Sequence, residues 1–416
     1  VQISQEAVHV RRRRVAVSAL VLIVVLIVLL ASCMSRGPGT PQAGGTAAQA
    51  AASDAPDSTP SQQPTATPSQ ETKPPEHPSA TTRLTQVDRI TGAITPKSVV
   101  ANGHGLVIAN NMMYSHTMTM YDASTRKLEA TIPDSVDLSS LGVKGHPGTS
   151  RGAPVEAAFT KDGRYAYVSN YSMYGVGFGP HGVDVCKPSD GFDASYLYRV
   201  DTKTMKVDQA IKVGAVPKYV AITPDQKTVL VTNWCDYTLS IIDRAKAKVV
   251  DTVKIGPMPR GIAVAPDGRT AFVTAMWTDH VYKVDLTDPP EQAPVFVSPG
   301  DRMRHLDVSP DGKYLYAVSA THIISKIDAH TGTIVDEADV GQDPRSMAIS
   351  PDGTALYVVN YDVGSMSKIR TEDMKVLQTV TTDAHPIGIT YEPTTQTVWV
   401  ACYGGSILVF DDKDVT

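Results

Sequence analysis

Apolar and polar positions alternate in short runs from about residue 96 to the C-terminus, and the runs return in a fixed order. In PRGIAVAPDGRTAFVT, Pro259 to Thr274, the segment from Gly261 to Ala265 reads as a strand, Pro266-Asp267-Gly268 as a tight turn, and Ala271 to Thr274 as the returning strand. Copies start at Pro217, Met303, Pro344 and Pro386, and the turn prolines Pro224, Pro266, Pro310, Pro351 and Pro393 lie 42, 44, 41 and 42 residues apart. A third short strand ends in Asp243, Asp285 or Asp328, and a fourth follows a polar turn, as from Lys248 to Gly256. Four antiparallel strands at this period predict a propeller blade rather than a solenoid coil.

Two weaker copies, Val155 to Asn170 and Pro96 to Asn110, bring the count to seven blades within residues 83–416. The last copy ends at ILVFDDKDVT without a fourth strand, and residues 84–91 carry the pattern of that strand. They are predicted to pair with residues 407–411 and close the ring, leaving no open sheet edge between the termini. The endings YVSN (167–170), VTN (231–233) and VVN (358–360), each after a Pro-x-x-(V/I)-A-(V/I) strand or a close variant, resemble those of the YVTN-repeat or YncE-like seven-bladed propellers. The resemblance covers nearly all of residues 84–416 and implies an all-β fold of four-stranded antiparallel blades. Similar propellers include surface-binding proteins, lactonases, lyases and cofactor-bearing dehydrogenase subunits, so the resemblance narrows the fold more than the activity.

Upstream of the repeats the pattern changes twice. Arg11 to Arg14 precede eighteen uncharged residues, Val15 to Ser32, and with Cys33 the run closes in LLASC. Those last residues resemble the lipobox of bacterial lipoproteins, which implies cleavage before Cys33 and acylation of it. The alternative is an uncleaved anchor, since eighteen residues of helix span about 27 Å. Both readings put the propeller on the outer face of the cytoplasmic membrane. Residues 34–82, rich in Pro, Ala, Ser and Thr, cannot bury a core and read as a disordered stalk. A net charge of −5 with 19% charged residues argues against nucleic acid as a partner.

The candidate chemistry lies where the repeat register converges or breaks. The position after each repeat's first proline holds Lys97, Val155, Lys218, Arg260, Arg304, Arg345 and Ile387. Five cations around one axis suggest an anionic ligand, with pairing to loop acids or loop carbonyls as the structural alternative. Tyr171, Trp234, Tyr361 and Tyr403 open the second loops of their blades, where they either stack on a ligand or cap the seam between blades. Glu156 and Asp307 interrupt the inner-strand pattern, and His305 and His385 stand nearby in sequence or on the same face. These four are the acid and base candidates, unless they are hydrogen-bonded channel residues. Cys186 and Cys235 fall in adjacent loops of one face, where a disulfide would pin an insertion from Tyr171 to Ala194. No metal-ligand spacing occurs, and no cofactor is expected. The favoured reading is a tethered, monomeric propeller binding a small molecule, glycan or protein on its loop face. A lactonase- or lyase-like enzyme and a scaffold subunit of an envelope or membrane redox complex are its rivals.

Overall fold

The computed structural model describes residues 77–287 and 291–413. The leader with Cys33 and most of the stalk lie outside the described residues. Contacts gather Glu71–Thr416 into one compact unit, built from seven four-stranded antiparallel sheets. Blade four is representative: Pro259–Val264 lies innermost, followed outward by Thr270–Ala275, Val281–Asp285 and Val295–Val297. In the last blade Pro386–Glu392, Thr397–Cys402 and Ser406–Lys413 are joined by Arg83–Thr91, which pairs antiparallel with Ser406–Lys413 from Arg83 opposite Lys413 to Thr91 opposite Ser406.

The repeat's local chemistry explains each blade. In the Pro-Asp-Gly turn, the Asp267 carboxylate accepts the backbone N–H of Arg269 at 2.8 Å, and Gly268 sits at φ 68°, a conformation that favours glycine. The asparagine closing the second strand is buried in four blades, as Asn111, Asn170, Asn233 and Asn360. Its side-chain amide ties the second strand to its neighbours: Asn233 Nδ2 donates to Thr238 and Ser240 at 3.0 and 2.8 Å, and Asn360 does the same to Ser365 and Ser367 at 3.0 Å each. Between blades the apolar faces interdigitate. Ile262, Val273 and Val284 pack with Leu230 and Leu239 of the blade before, all five buried. Innermost strands approach so closely that a Cβ on Gly261 would stand 2.9 Å from Leu306 Cδ2.

The two faces of the disc differ. The tight turns occupy one face, and the chain enters there, with Ser79 and Ala80 donating to Asp352 and Thr354 of blade six's turn at 2.7 and 3.0 Å. The opposite face carries the longer connections. A ribbon pairing Ser135–Asp137 with Thr149–Arg151 builds one insertion, and the Cys186–Cys235 disulfide fastens the other to blade three. Cys402 is a buried free thiol whose ionisation burial pushes up to about 12, so it is inert.

Candidate functional site

On the loop face the channel opens into a cavity of about 370 Å³. Six of the seven ring positions line it: Lys97, Val155, Lys218, Arg260, Arg345 and Ile387. The reason is local. Each inner strand of blades two, three, four, six and seven begins at a proline and slips register immediately after it, as between Pro217 and Val220 or Pro259 and Ile262. A bulge there turns the residue after the proline out of the ladder and toward the axis. The hydroxyl in the motif's penultimate column then holds the next blade's cation by its backbone. Ser169 donates to the Lys218 carbonyl at 2.8 Å, Thr232 to that of Arg260 at 2.8 Å, and Thr274 to that of Arg304 at 3.2 Å. These three hydroxyls read as fold residues in the sequence, and only the inter-blade contact reveals their bearing on the site.

Charge in the mouth is incompletely compensated. Lys97 meets Glu156 at 3.4 Å, and Lys218 meets the largely exposed Asp184 at 3.7 Å. A single carboxylate, Asp343, serves both Arg304 and Arg345, at 2.6 and 2.7 Å. Among the described residues, Arg260 has no carboxylate within ion-pair distance; its guanidinium lies 3.6 Å from the Met276 sulfur. Five cations therefore face three acids. Burial pulls Lys218 down to about 7 and Lys97 to about 8, with Asp184 and Glu156 opposing the shift and neighbouring cations adding to it. Arg260 is held below the usual guanidinium range by burial and then by Arg345. Arg304 is the ring position outside the cavity lining; it is buried, and its Nε, like that of Arg345, is buried without a partner.

Flat groups surround these cations. Lys218 Nζ lies 4.3 and 4.7 Å from the ring centroids of Tyr171 and Trp234, and the Arg345 guanidinium 4.2 Å from that of Tyr361. Tyr361 also contacts the exposed His385, ring to ring, at 4.7 Å. Tyr403 lines the cavity, and burial pushes its hydroxyl up to about 12. Met112, Met113 and Trp277 join the lining from second-to-third-strand connections.

Below the mouth a second chamber of about 220 Å³ contains His305 and Asp307 and shares Glu156 and Tyr219 with the first. The acid and base candidates thus converge, apart from His385 at the rim. His305 is fully engaged. Its Nδ1 accepts the Met347 N–H at 3.2 Å, which leaves the proton on Nε2, 2.6 Å from the Tyr219 hydroxyl. Burial, with Arg260 and Lys97, pulls it down to about 3, so it stays neutral. Asp307 is pushed up to about 6 by burial, and its carboxylate accepts the Val308 N–H. With no free lone pair on His305, the chamber gives no support to lactonase- or lyase-like chemistry.

Three comparisons bear on this geometry. Residues 185–289 match the YNCE-like beta-propeller family, and residues 291–403 match the cytochrome D1 heme domain. A chain of Kuenenia stuttgartiensis hydrazine synthase superposes with a TM-score of 0.61 at 18% identity, covering 77% of this chain and 96% of that one, a likeness of fold. No curated protein matches significantly. The second match overturns the expectation of no cofactor: the segment supplying Arg304, Arg345, Tyr361 and Tyr403 is similar to a haem-bearing domain. Sequence spacing missed this because no histidine or cysteine pair marks a haem site here. The lining fits such a group by its periphery, with cations for its carboxylates and aromatic faces for its ring. For iron it offers the thioethers of Met112, Met113 and Met276, and no imidazole lines the cavity.

Proposed function

We propose that the chain is a ligand-holding propeller, tethered by Cys33 or its leader to the outer face of the cytoplasmic membrane, that takes a planar molecule bearing acidic groups into the cationic mouth. Arg260 carries this reading. It is a partly buried guanidinium, short of a counter-charge and set among cations that are themselves shifted by burial, so an acidic ligand supplies what the fold omits. Haem is the member of that class favoured by the match over residues 291–403. Lys97, Lys218, Arg260 and Arg345 would hold its carboxylates, and Trp234, Tyr361 and Tyr403 would bound its ring. Bound there, it would supply one-electron chemistry. The chain's own part is to orient the ring by its edge charges and to keep water from its faces.

The test is an absorbance titration of the purified full chain with haemin and with iron-free protoporphyrin. Both are expected to saturate the site, and Arg260→Glu with Arg345→Glu weakens binding by at least about 100-fold while the thermal melt stays cooperative. Absence of saturable binding, or a double variant that binds like the parent, overturns the reading.

A second reading, a scaffold subunit of an envelope redox assembly, is favoured by apolar exposure on the loop face. Tyr114, Val176, Val185, Trp277 and Val363 are exposed in second-to-third-strand connections. Among the described residues the first-to-second-strand turns expose no large apolar side chain. An asymmetry of this kind fits a docking face.

A further inference from the structure

The blade-two insertion brings an acid to the mouth that the repeat does not provide. Asp184 Oδ1 accepts the Tyr171 hydroxyl at 3.0 Å and lies 3.7 Å from Lys218 Nζ. The Asp184 side chain is 85% exposed and that of Lys218 13%, so the carboxylate reaches the lysine from solvent, the side from which a ligand arrives. We propose that Asp184 stands in a second acid subsite, between Lys218 and Tyr171, that an acidic group of the ligand takes over, so that the ligand carries at least two acidic groups. This deepens the anion-binding reading of the mouth and rests on it.

The surroundings suit a side chain that yields while its backbone stays. The Asp184 carbonyl accepts the Trp234 indole N–H at 3.0 Å. Two residues on, Cys186 is bonded to Cys235, and its carbonyl accepts the Tyr237 hydroxyl at 2.7 Å. Two residues before, the chain passes so near blade three that a Cβ on Gly182 would lie 1.8 Å from Val216 Cγ2. Only rotation about the side-chain bonds is then needed to vacate the subsite. An ion pair with one partner this exposed holds weakly. Lys218 keeps its place without Asp184, because the faces of Tyr171 and Trp234 flank it. The other cationic part of the mouth, Arg260 with Arg345, is left to the ligand's first acidic group. The two parts together ask for a planar frame that presents at least two acidic groups, one to each part.

The experiment compares benzoate with isophthalate and terephthalate by calorimetry on the full chain at pH 6, where Lys218 is charged. The parent should prefer a dicarboxylate, and Lys218→Met should erase that preference. In Asp184→Asn the dicarboxylate dissociation constant should fall by about three- to tenfold, and that for benzoate should stay within about twofold. Asp184→Ala, which cannot hydrogen-bond the tyrosine, should repeat the gain. A dicarboxylate affinity that is unchanged or weaker in both variants, or an equal gain for benzoate, overturns the subsite. Benzoate binding that Arg260→Ala removes would then leave the anion-binding reading standing. If no probe binds the parent or either variant, both readings fall together.

Discussion

Two lysines enclosed by this fold are treated in opposite ways. Lys368 and Asp412 are both fully buried and ion-paired to each other. The lysine also donates to the Thr82 carbonyl and hydroxyl at 3.0 and 2.7 Å, while Asp412 accepts from Thr82 and Tyr357. That network binds the entering chain to blades six and seven. Lys218 instead has two aromatic faces and an acid that stands mostly in water. Where the charge serves the fold, the protein supplies a partner of equal burial. In the mouth it leaves the cation short, and the proposed ligand would supply the missing part.

The sharpest way to break this contrast is to unpair the structural lysine. Asp412→Ala leaves a buried ammonium without its counter-ion and should cost about 3–5 kcal/mol in urea unfolding. Replacing both partners together, Lys368→Met with Asp412→Leu, should restore most of that loss. A cost below about 1 kcal/mol for Asp412→Ala would mean that the network does not hold the closure. Opening the disulfide comes next. Cys186→Ser with Cys235→Ser should remove about 2–4 kcal/mol, read as proteolytic nicking within residues 171–194 while the blades still melt cooperatively. Resistance equal to the parent's would show that the packing of Gly182 and Trp234 suffices.

The pH dependence of the empty protein is a smaller effect. Lys218 and Lys97 sit at about 7 and 8 when folded, below the roughly 10.4 of an unfolded lysine. Between those values the unfolded chain binds more protons than the folded one, so their contribution to stability rises with pH across about 7 to 10. Below 7 their full burial penalty is present. Lys218→Met should flatten the rise of the melting temperature between pH 7 and 9.5; an unaltered slope would remove Lys218 from the account.

The blades were legible because their signals are local: alternation sets the strands, and Asp267 with Gly268 sets a turn that recurs. The cationic ring was legible for a related reason, since a repeat carries any side chain in its first bulge to the same axis. Partners across blades were not. Nothing near Arg304 in sequence announces that it shares Asp343 with Arg345, or that Thr274 grips its carbonyl. His305 looked like a base because the Met347 N–H that occupies it comes from the next blade. The haem-domain likeness is spread over residues 291–403 and has no short motif that spacing could have found.

The central claim is that the mouth lacks negative charge until a ligand brings it, and proton counting tests this most directly. Calorimetry of protoporphyrin binding at pH 8, in two buffers of different ionisation enthalpy, should show net proton uptake as Lys218 and Lys97 regain their charge beside the acid. The uptake should shrink toward zero at pH 6 and be cut in Lys218→Met. Tight binding at pH 8 with no buffer dependence would contradict the claim, because it would mean the ligand meets a mouth whose charges were already balanced.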